Sequence, residues 1–107
     1  MDLVLKGRGV RITDQIRRTT EHKLAKISRL DPRAQRIEVE VIEERNPRID
    51  GAHKVDVAVT SSRHVFRAEG VGHGIDSALD QAVAHLERQI TSYRGKLRDR
   101  RQAGAAG

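Results

Sequence analysis

The chain contains no cysteine and no tryptophan, a single phenylalanine, a single tyrosine and only two prolines. Without thiols it can form neither disulfides nor thiolate zinc centres. With Phe66 and Tyr93 as its whole aromatic complement, it is a poor match to modules that stack single-stranded bases on an aromatic sheet. If RNA is the partner, backbone shape and phosphate are the expected targets. No apolar run approaches the roughly 18 residues needed to span a bilayer. The opening residues also lack the pattern of a secretory signal. The expectation is therefore a cytoplasmic protein with no membrane partner. A length of 107 residues is enough for one hydrophobic core and too little for two.

What the chain has in abundance is positive charge, unevenly placed. The net charge is +6 and the isoelectric point about 10.5, which suits a polyanionic partner. Residues 1–33 carry +5, residues 34–61 carry −2 and residues 62–107 carry +3, the last group mostly beyond residue 87. Arginine outnumbers lysine sixteen to five, as bidentate phosphate binding favours, although a GC-rich genome gives the same bias.

Periodicity sets the element order. Asp2–Arg8 alternates, with Leu3 and Leu5 on one side, and reads as a strand. Thr13-Asp14 is an N-cap followed by a first-turn acid. From there Ile16, Thr20, Leu24 and Ile27 form a helical stripe that must stop before Asp31-Pro32. Arg18, His22, Lys26 and Arg29 fall on the far side of that helix, and Lys23 lies at the edge of the stripe, where its stem can pack while its ammonium reaches solvent. Two further strands follow at Arg36–Glu44 and His53–Ser61, joined by loop and turn residues around Asn46–Gly51, and a fourth at His64–Val71, with Phe66 and Ala68 expected to face the core. Glu38 and Glu40 predict an acidic, solvated outer sheet face. A long amphipathic helix then runs from Gly74 to Arg101, with Ile75, Leu79, Ala82, Leu86, Ile90, Tyr93 and Leu97 as its apolar stripe. His85, Arg88, Ser92 and Lys96 share another of its faces, and Arg94, Arg98, Arg100 and Arg101 lie beside or beyond them. Residues 102–107, small and featureless, read as a flexible tail or the start of a linker after a single domain spanning 1–101. The order β-α-β-β-β-α predicts an α+β fold in which two helices cover one side of a four-stranded sheet. The helices are then the working surface.

Other chemistries find little support. The five histidines, at 22, 53, 64, 73 and 85, form no ligand pair with a Glu between them and have no cysteine to assist, so no metal or cofactor is expected. Glu38, Glu40, Glu43 and Glu44 lie on an exposed strand with no evident pocket for acid–base work. Gly70-x-Gly72-x-Gly74 follows a strand and opens a helix, but lacks the spacing and the Lys-Ser/Thr of a phosphate loop, and reads as a flexible turn.

Several tracts together resemble a known family. They are the opening Leu3-Val-Leu-Lys-Gly-Arg-Gly-Val-Arg-Ile-Thr-Asp-Gln-Ile-Arg17, then Lys23-Leu-Ala-Lys-Ile27, Ala68-Glu-Gly70, and the helix carrying Ala78-Leu-Asp80, Leu86-Glu-Arg-Gln-Ile90 and Lys96-Leu97. In order and spacing they are similar to the ribosome hibernation promoting factors, the protein Y or ribosome-associated inhibitor family, over about residues 1–98. The resemblance implies a fold like that of double-stranded RNA-binding domains, with two parallel helices on one sheet face. It also implies binding to the 30S subunit and 70S ribosome through 16S rRNA, in competition with mRNA, tRNA and initiation factors, so that translation is silenced under stress or in stationary phase. It implies the N-terminal domain of a long form, whose dimerisation would need a C-terminal domain absent from this chain; a complete short form is the other possibility.

Carried over residue by residue, the resemblance implies RNA contacts at Lys23 and Lys26 in the first helix and at Arg88, Arg94 and Lys96 in the second. His85 and Ser92 stand where members commonly have lysines, and Arg98, with Arg100 and Arg101, would restore that charge. His22 and His85 are expected on the RNA-facing surface. The lead-in to the second helix, Gly70–Asp76, departs from the family's tyrosine-containing pattern. Two alternatives share the electrostatics: a general double-stranded RNA binder, and a basic protein-interaction or dimerisation module. Catalysis is not expected, for want of any constellation to carry it.

Overall fold

The computed structural model describes residues 2–43, 53–62 and 64–106, with side chains in the last helix as far as Lys96. Its elements follow the expected order: β1 (Asp2–Arg8), α1 (Asp14–Leu30), β2 (Arg36–Glu43), β3 (His53–Thr60), β4 (Val65–Gly72) and α2 (Ile75–Ala106). The expected loop around Asn46–Gly51, with Glu44 and Arg63, lies outside the described residues.

α1 begins and ends where its caps require. The Thr13 hydroxyl accepts a hydrogen bond from the Ile16 amide at 3.2 Å, and the Asp31 N–H returns to the Ile27 carbonyl at 2.9 Å. Pro32 can then neither donate to the ladder nor leave Asp31 helical. Thr20, the one polar residue buried among the described residues, is satisfied by donating its hydroxyl to the Ile16 carbonyl at 2.7 Å.

The four strands lie in sequence order, β1 parallel to β2 and the rest an antiparallel meander. Strand alternation turns Ile37, Val39, Val41, Val55, Val57, Val59 and Phe66 to one side, where they meet Leu24 and Ile27 of α1 and Leu79, Ala82, Val83, Leu86 and Ile90 of α2. Burying a side chain such as Leu86, with none of its surface exposed, contributes about 1.5–3 kcal/mol. Both helices therefore share one face of the sheet, and the other face is open.

Three features depart from the sequence expectation. Gly70 and Gly72 are strand residues, not a flexible turn. A Cβ on Gly70 would sit 1.9 Å from the Ala78 carbonyl oxygen and 2.7 Å from the Ala82 nitrogen, and one on Gly72 would sit 2.7 Å from Ser77 Cβ. The glycines let the backbone of α2 lie almost directly on β4, a close approach that no side chain permits.

The open sheet face, secondly, is mixed in charge and not acidic. Lys6, Arg8, Arg36, Lys54 and Arg67 stand among Glu38, Glu40, Asp56 and Glu69. Ion pairs join Arg8 to Glu40 (3.7 Å), Arg36 to Glu38 (3.0 Å), and Lys54 to Glu69 (3.2 Å) and Asp56 (3.9 Å). The acidity read from one strand is offset by cations on its neighbours.

Thirdly, the α2 backbone stays helical to Ala106, through the stretch read as linker. Alanine and glutamine are strong helix formers, and extending an existing helix needs no new nucleus. At 1.5 Å per residue its 32 residues span about 48 Å, which accounts for the 57 Å long axis of the molecule. No helix among the described residues is long and apolar enough to cross a membrane.

Candidate nucleic-acid interface

Each flank of α2 is committed to a different neighbour. Along one flank Asp80, Glu87 and Arg94, spaced seven residues apart, meet α1. The Asp80 carboxylate pairs with the Lys23 ammonium at 2.5 Å, and Glu87 pairs with Lys26 at 2.8 Å. Arg94 donates to the Leu30 carbonyl at 2.6 Å, satisfying a C-terminal carbonyl that α1 leaves open. These partners advance together along both helices, so α1 and α2 run parallel.

Along the opposite flank Gln81, His85 and Gln89, spaced four apart, meet the outer edge of β4. The Gln81 side-chain oxygen accepts from the Val71 amide at 2.7 Å. His85 Nδ1 lies 3.0 Å from the Glu69 carbonyl oxygen, and Gln89 donates to the Arg67 carbonyl at 2.6 Å. Positions 67, 69 and 71 alternate along the strand, so these are the groups that an edge strand points outward. α2 thus runs antiparallel to β4 and closes an edge that would otherwise invite another strand.

Between the flanks, the helical surface turned from the sheet is basic and accessible. α1 presents Arg18, His22, Lys26 and Arg29, all exposed, and α2 presents Arg88, with Lys96 exposed further along, seven residues after Gln89 on the β4 side of the helix. Among the described residues Arg18, His22, Arg29, Arg88 and Lys96 have no ion-pair partner. Such unpaired cations on one surface are what a phosphate backbone uses, through release of its condensed counterions. The described residues contain no group of three or more His, Asp or Glu side chains placed to hold a metal ion.

Comparison with known proteins gives this surface a context. The sequence profile of the Sigma 54 modulation protein / S30EA ribosomal protein family matches residues 3–98. The chain belongs to this family. It is 34% identical over 102 residues to a ribosome hibernation promotion factor of Mycobacterium tuberculosis, an alignment covering 94% of this chain and 45% of that protein. Against a ribosome hibernation promotion factor of a Picosynechococcus species it is 27% identical over 97 residues, covering 90% of this chain and 50% of that one. The chain thus spans about half the length of the curated relatives it matches.

Among solved structures, a ribosomal subunit interface protein from Coxiella burnetii superposes with a TM-score of 0.78 at 22% identity, covering 89% of this chain and 99% of that one. The N-terminal domain of Thermus thermophilus Protein Y superposes with a TM-score of 0.70 at 26% identity, covering 87% and 99%. The fold of this S30EA-family chain is that of both neighbours.

The residues singled out from the sequence whose side chains are described fall into three groups. Arg88, Lys96 and His22 are exposed and unpaired among the described residues. Lys23, Lys26 and Arg94 sit on the surface but are engaged across the α1–α2 seam. His85 is exposed yet bonded to the β4 edge, which its lysine-like position in the family pattern did not foretell. The Arg98, Arg100 and Arg101 side chains lie outside the described residues. Sequence reasoning passed over Gln81 and Gln89, whose four-residue spacing with His85 was legible, and over His64, whose ring joins the two aromatic side chains.

Proposed function

We infer that this domain binds the small ribosomal subunit through 16S rRNA and silences translation by occupying the channel that mRNA and the A- and P-site tRNAs use. The observation that carries the reading is the accessible basic surface of two parallel helices in a chain of the S30EA family, whose matched relatives are named ribosome hibernation promotion factors. Phosphates would lie along α1 and α2, with Arg18, Arg29, Arg88 and Lys96 unpaired among the described residues, and with Arg98, Arg100 and Arg101 following them in the sequence. Lys23 and Lys26 would exchange their carboxylates for phosphate, a change of low cost because exposed ion pairs are worth about 0–1 kcal/mol. Recognition would read backbone shape and charge, not base sequence. Inhibition would follow from occupancy alone and requires no catalytic group, cofactor or metal. A cytoplasmic site of action follows from the ribosome as partner.

The test is sucrose-gradient co-sedimentation with purified subunits at low and high salt, with duplex RNA as competitor. Binding to 30S subunits that duplex RNA does not displace is the expected result. Displacement by any duplex would reduce the function to general double-stranded RNA binding. Arg88→Glu combined with Lys96→Glu should abolish sedimentation while circular dichroism and Tm stay unchanged, since neither side chain supports another described residue.

A further inference from the structure

The chain's two aromatic rings and one imidazole form a single cluster at the end of the core. Tyr93 of α2 and Phe66 of β4 meet edge to face, with centroids 5.5 Å apart at 83°. The His64 ring lies against both: stacked on Tyr93 at 4.5 Å and 22°, and edge-on to Phe66 at 4.6 Å and 61°. Strand alternation puts His64 on the helix side of the sheet, two residues before Phe66. Its backbone is held by the β3–β4 turn, where the Ser61 amide donates to the His64 carbonyl at 2.8 Å. Phe66 is buried, Tyr93 half-buried and His64 exposed. The stack therefore runs from core to surface and ends in a planar ring with one face on Tyr93 and the residue open to solvent. Lys96 is exposed one turn beyond Tyr93 on α2, the spacing at which helical side chains are neighbours.

We propose that the His64–Tyr93 stack is a platform for an unpaired nucleobase of RNA, with the adjoining phosphate on Lys96. Every base has a π-face, so a single preorganised ring can add affinity without reading sequence. The ring is packed against Tyr93 and Phe66 and its backbone is held by the turn, so little freedom is lost when a base arrives. The described residue at helical neighbour spacing from Tyr93 in the direction α2 leaves the sheet is a lysine, which matches the negative charge that accompanies each base. A base splayed from a loop or a single strand, not one inside a duplex, fits this geometry. The chain is poor in aromatics, but the fold concentrates them where the free cations of α2 begin.

The proposal rests on the RNA-binding reading of the helical surface, and one experiment separates the two. Wild type, His64→Ala and His64→Phe would be titrated with a short single-stranded oligoadenylate and with an abasic ribose-phosphate oligomer of equal length and charge. Tyr93 is the sole tyrosine and there is no tryptophan, so intrinsic emission reports on that ring, and the His64 ring protons report by NMR. The expected result is about tenfold tighter binding of the oligoadenylate than of the abasic oligomer, with upfield shifts of the His64 ring protons. His64→Ala should lose that preference while keeping the wild-type abasic affinity, with Tm lowered by the few degrees that two lost ring contacts imply, and His64→Phe should retain it. Equal affinity of wild type for the two oligomers, or a preference surviving in His64→Ala, overturns the platform even if the protein still sediments with 30S subunits. Wild type that ignores both oligomers and fails to sediment overturns the RNA-binding reading together with the platform.

Discussion

The two flanks of α2 solve different problems with different chemistry. Towards β4 the helix offers the neutral amides of Gln81 and Gln89, with the imidazole of His85 between them, to backbone partners that cannot move. Towards α1 it offers mostly charge: Asp80 and Glu87 to lysines, with Arg94 on a carbonyl. A backbone group at a sheet edge needs a partner for the fold to persist, and a neutral amide supplies one at low desolvation cost. A lysine on the outer surface needs no partner, because water already solvates it. The first flank therefore holds the molecule together, and the second sets how available its cations are. The same helix is structural on one side and adjustable on the other.

The largest effect should come from forcing α2 away from β4. Gly70→Ala puts a methyl onto backbone atoms of Ala78 and Ala82, which no rotamer change can relieve. The expected loss is about 3 kcal/mol, the upper end for overpacking, read as a fall in the urea midpoint. A second alteration on this flank is smaller and more local. Gln81→Ala removes the acceptor for the Val71 amide and should cost about 1 kcal/mol. Hydrogen exchange at that amide should quicken severalfold, while the amides of β1 and β2 keep their protection. An unchanged Val71 exchange rate would mean that water serves the edge as well as Gln81 does.

Much of this arrangement was written in the sequence, and the remainder depends on register. α1 is bounded by Thr13 and Pro32, both local signals, and its observed limits agree with them. The strands were legible from alternation to within a residue at each described end. The charge of the open face was not, because Glu40 acquires its meaning from Lys6 and Arg8 of β1, and Glu69 from Lys54 of β3, pairings that one strand cannot announce. Gly70 and Gly72 looked like loop residues because their cause is a second backbone lying against them. At the candidate interface, spacing alone separated Arg88 and Lys96 from the apolar stripe. That Lys23 and Lys26 face carboxylates from positions 57 and 61 residues away was beyond any periodicity. His64 was unreadable for the same reason: its ring matters only once α2 brings Tyr93 to it.

The charged flank should respond in the opposite way to the neutral one, with little change in stability and a gain in binding. In the Lys26–Glu87 pair the lysine side chain is 57% and the glutamate 30% exposed, so the pair is screened by water and salt, and Glu87→Gln should alter stability by less than about 0.5 kcal/mol. The same change removes a negative charge from beside the site proposed for a phosphate. At a separation of about 4 Å in water such a repulsion is on the order of 1 kcal/mol, or roughly fivefold in affinity. Glu87→Gln should accordingly bind 30S subunits about fivefold more tightly at low salt, with the advantage shrinking as ionic strength rises. Lys26→Gln should weaken binding and lower the slope of log affinity against log salt by about 1, the signature of one lost phosphate contact. Combining the two substitutions decides whether they act through one another. If the glutamate matters only by occupying Lys26, then Glu87→Gln gives no gain once Lys26 is gone. If it repels phosphate directly, the gain persists in the double variant. In the first case the carboxylates of α2 tune the domain by competing for its lysines; in the second they shape where along the helices the RNA backbone can lie.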